Sequence, residues 1–262
     1  MTHVVINQKF LAVGATRPAD EPSEQAVKVA EMFGIGLDET YEVTLYDGLA
    51  LDVRPGDVVF ITGPSGSGKS VLLARLADAL GEAWPEGRAV NLAAIELPRD
   101  RAVIDLMQPP LEEALRILSA AGLADAFLLL RTPQELSDGQ RYRLRLAKAI
   151  ETLIAPTSRS SSRGREPAGT RDLTVAARPG VLVADEFCST LDRLCARAVA
   201  YRVRRMADSH GVTVLAASAH DDLVEDLAPD VLIVKHEGDR AEVTYACPER
   251  SRRADPSRGV RP

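Results

Sequence analysis

Eight residues constrain this chain more than any others: Gly63-Pro64-Ser65-Gly66-Ser67-Gly68-Lys69-Ser70. They follow the apolar run Val58–Thr62, which reads as a buried strand, and precede a helical pattern over residues 69–80 that closes at Gly81. A strand that stops, a glycine-rich loop and a helix that starts on Lys-Ser is the context in which G-x-x-x-x-G-K-[ST] acts as a phosphate-binding loop. Gly63, Gly66 and Gly68 let the backbone curl, so that successive N–H groups, with those of Ser65 and Ser67, point at phosphate oxygens. The helix N-terminus adds positive potential. Lys69 supplies a mobile charge for the β- and γ-phosphates, and the Ser70 hydroxyl suits Mg²⁺. The loop implies a nucleoside triphosphate. By itself it does not separate kinases, GTPases and ATPases.

The rest of the chain is compatible with one α/β core. Its 262 residues are 45% hydrophobic and 27% charged, an ordinary globular composition and enough chain to bury a core without disulfides. Three cysteines, Cys188, Cys195 and Cys247, are too scattered for a disulfide framework or a zinc site. No run reaches the roughly 20 apolar residues of a membrane helix, and the start of the chain lacks a secretory layout, so a cytoplasmic protein is expected. Residues 156–180 and 248–262 each carry five Arg against two acids, +3 apiece, so the remaining chain carries −12 of the net −6. Nucleic acid is therefore not indicated as a partner.

Strand and helix patterns alternate. Residues 2–13 read as one or two strands, 23–33 as a helix capped by Ser23, and 41–46 and 49–53 as two strands joined by an Asp47-Gly48 turn. Residues 88–97 are strand-like, 111–121 and 139–153 helical, 181–184 a strand, 191–206 a helix, and 212–217, 231–235 and 241–245 strands. Residues 156–180, Ser- and Arg-rich, read as a low-complexity insert, and 248–262 as a basic disordered tail. At the end of the 181–184 strand stand Asp185 and Glu186. Ligands gather at such strand ends in open α/β sheets. Asp185 suits Mg²⁺, and Glu186 suits polarising an attacking water.

The run Glu135-Leu136-Ser137-Asp138-Gly139-Gln140-Arg141-Tyr142-Arg143-Leu144 resembles the signature helix of the ATP-binding cassette (ABC) family, usually LSGGQ, with Asp138 in place of a Gly. Gln108 falls where that family has its Q-loop, Ser189-Thr190-Leu191-Asp192 resembles its D-loop, and His220 matches its H-loop. Tyr41, with Tyr46 second, matches the adenine-stacking aromatic. The resemblance covers roughly residues 40–245. It implies a P-loop NTPase fold of ABC type, with a mostly parallel core sheet, antiparallel N-terminal strands and a small helical subdomain at about 109–153. The cassette would run from 39 to 247, with 1–38 an extension outside it.

The resemblance also implies a mechanism. Two cassettes, from a homodimer or a related subunit, clamp ATP head to tail. Lys69, Ser70, Gln108, Asp185, Glu186 and His220 of one face ATP·Mg²⁺, with Ser70, Gln108 and Asp185 on the metal. Ser137 and Gly139, with Gln140, complete the site from the other cassette. Hydrolysis would drive a partner. Two departures bear on that partner. The segment between Gln108 and Leu136 is shorter than in transporter cassettes, which favours a soluble partner over a permease. The alternative is the ATP-binding subunit of a transporter with a separate permease. Glu186 is followed by Phe187-Cys188, where most relatives have Pro-Thr. The run from Asp185 to Asp192 is most similar to soluble ABC ATPases found joined to a predicted acetyltransferase domain.

Overall fold

A computed structural model describes residues 1–13, 23–34, 40–155 and 179–246. The expected tail and all but the last two residues of the expected insert lie outside them, as do Cys247 and the side chain of Tyr41. In chain order the elements are β1 (Thr2–Val13), α1 (Glu24–Phe33), β2 (Thr40–Val53), β3 (Val58–Thr62), α2 (Lys69–Ala83), β4 (Arg88–Asn91) and α3 (Leu111–Ala120). There follow α4 (Ala126–Leu129), α5 (Asp138–Ile154), β5 (Gly180–Ala184), α6 (Arg193–His210), β6 (Thr213–Ser218), α7 (Val224–Leu227), β7 (Val231–Lys235) and β8 (Ala241–Tyr245).

Six strands form one sheet in the order β4-β5-β6-β3-β7-β8, parallel throughout except for the antiparallel β7–β8 edge. Period-2 alternation assigns its two faces. Val58, Phe60, Leu182, Ala184, Val214 and Ala216 face one core, with Leu144 and Ile150 of α5 and Val199 and Val203 of α6. Val59, Ile61, Val181, Val183, Leu215 and Ala217 face the other, with Leu72, Leu73, Leu76 and Leu80 of α2. Burying each such Leu contributes about 1.5–3 kcal/mol. The architecture is α/β, with a mostly parallel sheet covered on both faces.

The second core also takes Val4 and Ile6 from β1 and Leu51 and Val53 from β2, which pair antiparallel along their length. A domain boundary after residue 38 therefore divides a paired sheet: residues 2–13 are built into the fold rather than lying outside it. Three local expectations are also corrected. Asp47-Gly48 is not a hairpin turn, because β2 runs straight through it. Ile6 pairs with Leu49 but Gln8 with Tyr46, so Asp47 and Gly48 face Asn7 alone, and the one extra residue forms a bulge. There Gly48 takes a φ of +63° and donates its N–H to Asn7 Oδ1 at 2.6 Å. Gly81 does not close α2, which continues to Ala83. One glycine costs a helix only about 1 kcal/mol, less than the packing of fully buried Leu80 contributes. β4 stops at Asn91 because that side chain accepts the Ala93 N–H at 3.0 Å and starts a 3-10 turn.

Candidate functional site

The phosphate loop leaves β3 and enters α2. Gly63 has a φ of +144°, and a Cβ there would stand 2.0 Å from the Lys235 carbonyl oxygen, so the position admits only glycine. Gly66 (+77°) and Gly68 (+97°) are also left-handed. Gly68 starts α2 without a side-chain cap, which leaves first-turn N–H groups for a ligand. The Ser67 hydroxyl is buried within the loop and has no partner. Lys69 Nζ donates to the carbonyls of Gly63 (2.9 Å) and Pro64 (2.7 Å). Burial holds its ammonium below the usual lysine range, and the Asp185 and Glu186 carboxylates pull it back up. The two acids thus act electrostatically on the loop lysine. Ser70 is exposed on the first turn of α2.

The loop has a backing that the sequence did not reveal. Tyr46 is 1% exposed. It donates its hydroxyl to the Gly68 carbonyl at 2.9 Å, and Lys235 Nζ lies 5.1 Å from its ring centroid. Lys235, fully buried, donates to the carbonyls of His236, Gly238 and Arg240. Tyr46 is therefore a structural prop beneath the loop. Its burial removes it from the candidates for stacking on an adenine.

Asp185 and Glu186 follow β5, and His220 comes two residues after Ser218, the end of β6. β6 lies between β5 and β3, so the acids, His220 and the phosphate loop extend from the C-terminal ends of three adjacent parallel strands. Glu186 is exposed. Its backbone is left-handed at φ +49°, as is that of Cys188 at +61°, a strain of order 1–3 kcal/mol per residue that surrounding contacts must sustain.

Gln108 is exposed beyond a 3-10 turn, Ile104–Leu106. Its N–H donates to the carboxylate of Glu151 on α5. Glu151 is buried and paired with Lys148, which also donates to the Leu106 carbonyl at 2.7 Å. Helix α5 thus holds the Gln108 segment. The sequence did carry a signal for this: a charged residue beside Ile150 on the buried side of an amphipathic helix.

Ser137 caps α5. Its Oγ accepts from the Gln140 N–H at 3.3 Å, and Gln140 Oε1 accepts from the Ser137 N–H at 2.9 Å, a capping box. A Cβ on Gly139 would meet Leu191 (3.1 Å) and Thr190 (3.2 Å); what stands beside it is the 189–192 segment, not the phosphate loop of its own chain. The structure brings Gly63–Ser70, Asp185, Glu186 and His220 to one edge of the sheet and leaves Ser137, Gly139 and Gln140 on the helical side.

Comparison with known proteins agrees with this geometry. Residues 44–255 match the family model described as AAA ATPase domain. A methionine import ATP-binding protein MetN of Rhizobium etli is 26% identical, over 84% of this chain and 62% of that protein. An aliphatic sulfonates import ATP-binding protein SsuB of Granulibacter bethesdensis is 29% identical, over 81% of this chain and 82% of that protein. The chain thus spans between about half and just under two thirds of the length of the methionine import relatives it matches. A solved dimeric ATP-binding cassette in a post-hydrolysis state, bound to ADP and Pi, shares the fold. Its TM-score is 0.52 at 16% identity, covering 79% of this chain and 94% of that one. With a strand-loop-helix phosphate cradle, paired acids across one intervening strand and cassette relatives along most of its length, the chain belongs to the family of the AAA ATPase domain, as an ATPase domain of the ATP-binding cassette type.

Proposed function

We propose that the chain binds ATP with Mg²⁺ and hydrolyses the β–γ bond within a head-to-tail pair of cassettes, and that the cycle drives a membrane permease carried on another chain. One observation supports this most: the phosphate loop, the Asp185-Glu186 pair and His220 leave three neighbouring parallel strands at the same edge. The partnerless Ser67 hydroxyl and the uncapped start of α2 fit a bound polyphosphate. Among the described residues no group of three or more His, Cys, Asp or Glu is placed to hold a metal alone. This suits Mg²⁺, which takes few protein ligands and completes its shell with phosphate and water.

Lys69 exchanges its two loop carbonyls for phosphate oxygens. Ser70, Asp185 and Gln108 are the residues that would hold Mg²⁺, which when bound neutralises charge on the β- and γ-phosphates. Glu186 accepts a proton from the attacking water, and His220 orients Glu186 and the γ-phosphate. Ser137, Gly139 and Gln140 serve the site of the second cassette, which accounts for their standing away from their own loop. Tyr41 stacks on the adenine.

The permease reading rests on the relatives, which are named for methionine and sulfonate import. No helix among the described residues is long and apolar enough to cross a membrane, so the spans would belong to the partner. The short stretch between Gln108 and Leu136, holding α3, α4 and one 3-10 turn, Pro133–Glu135, favours the second reading, a soluble partner. The test is phosphate release with ATP·Mg²⁺. Glu186→Gln should bind ATP yet turn over at least ~100-fold more slowly. Tagged Glu186→Gln, recovered with ATP·Mg²⁺ from its native cells, should bring a multi-span membrane protein with it; a soluble partner alone would reverse the choice.

A further inference from the structure

The dipeptide Phe187-Cys188, where most cassettes have Pro-Thr, has a structural consequence. Phe187 donates its N–H to the Ala217 carbonyl at 2.7 Å, a bond that proline cannot make. Its fully buried ring sits in the core with α5 and α6. Cys188 donates its N–H to the Tyr142 hydroxyl at 3.0 Å, and the Tyr142 hydroxyl oxygen lies 4.0 Å from Cys188 Sγ, to which it can donate. The Ser189 N–H returns to the Glu186 carbonyl at 3.0 Å. Glu186 thus lies in a strained turn tied on one side to β6, just before His220, and on the other to α5.

Tyr142 lies on the same helix as the Ser137 cap, little more than one turn farther along. It is buried, so its hydroxyl has few partners besides Cys188. We propose that Tyr142 is a positioning residue for Glu186. Its hydroxyl, by accepting the Cys188 N–H, holds the left-handed turn that aims the Glu186 carboxylate, and takes over the restraint that proline gives other cassettes. It also joins the end of α5 that meets a second cassette to the carboxylate that acts on water. Docking at Ser137 is thereby felt at Glu186 through a single rigid helix.

The proposal rests on Glu186 acting on water as stated above, and its test separates the two. Turnover and ATP affinity are measured for Tyr142→Phe, Glu186→Gln and the double variant. Tyr142→Phe should lose about 10- to 100-fold in kcat, as a misaimed group does, with ATP affinity unchanged. Added to Glu186→Gln it should cost nothing more, because the two act as one unit. Cys188→Ala keeps the N–H and should retain wild-type turnover. Should Tyr142→Phe not fold, 3-fluorotyrosine at 142 keeps the shape and weakens the acceptor oxygen, and should still lower kcat. Unchanged kcat, an equal loss in the Glu186→Gln background, or a matching loss in Cys188→Ala would overturn the proposal. Full turnover in Glu186→Gln would overturn the role of Glu186 itself, and this proposal with it.

Discussion

Tyr46 shows how much a single hydroxyl can carry. It ties the strand bearing it to Gly68, the residue on which α2 begins. Tyr46→Phe leaves the Gly68 carbonyl without this donor and the loop free to shift, so ATP affinity should fall severalfold while the far-ultraviolet spectrum is unchanged, a change of about 1 kcal/mol measured by titration. Lys69→Ala should abolish binding; undiminished affinity would contradict the loop assignment. Cys188 provides a pH test. Burial pushes its thiol from 9.0 up to about 12. The unfolded chain therefore releases this proton first, and the stability Cys188 contributes, complete below pH 9, is lost as pH rises through that window. Denaturation midpoints of the wild type should fall more steeply above pH 9 than those of Cys188→Ala. The motif residues were legible because their types are dictated by phosphate and water chemistry. Tyr142, Lys148 and Lys235 were not, since a side chain that holds a loop from behind needs only to be near it, and nearness across 46 residues, as between Tyr142 and Cys188, leaves no local pattern; Glu151 alone left a trace, as a charge on the buried side of α5.

At the level of elements, α2 and α5 carry the argument. The apolar face of α2 is read directly from Leu72, Leu73, Leu76 and Leu80. Leu76 is fully buried, and Leu76→Ala should cost about 2–5 kcal/mol of unfolding free energy in a denaturant titration. The start of α5 falls within the signature run, at Ser137. Ser137→Ala removes the cap and should cost about 1 kcal/mol by the same measurement, and, as a group proposed to face a second cassette, it should also slow turnover. The short strands β3, β5 and β6 were legible as apolar runs that lead into site residues. The β2 bulge at Gly48 was not, because Asp-Gly between alternating runs favours a hairpin locally and only pairing with β1 overrides it. The end of α2 was misread for a similar reason, since the core beneath Leu80 outweighs one glycine.

For the whole molecule, the described residues on either side of positions 156–178 stand together. A Cβ on Gly180 would stand 3.2 Å from Leu153 Cδ2, and Arg88 N–H donates to the Pro179 carbonyl at 3.1 Å. A chain that leaves and returns at one place can be shortened at little cost. Deleting residues 157–168 should leave the thermal midpoint within about a degree or two; loss of soluble protein would mean that the segment packs. Residues 2–13 are the reverse case. Their pairing with β2 and the burial of Val4 and Ile6 mean that removing them should strip one wall from the α2 core and lower the midpoint sharply. The central claim is that one site is completed by two chains, and a mixing experiment tests it most directly. Glu186→Gln and Ser137→Ala are each purified, found slow, then combined with ATP·Mg²⁺. A head-to-tail pair of one of each contains a site with an intact Glu186 facing an intact Ser137. The mixture should release phosphate well above the mean of its parents; a rate equal to that mean would show that each chain works alone and would contradict the account.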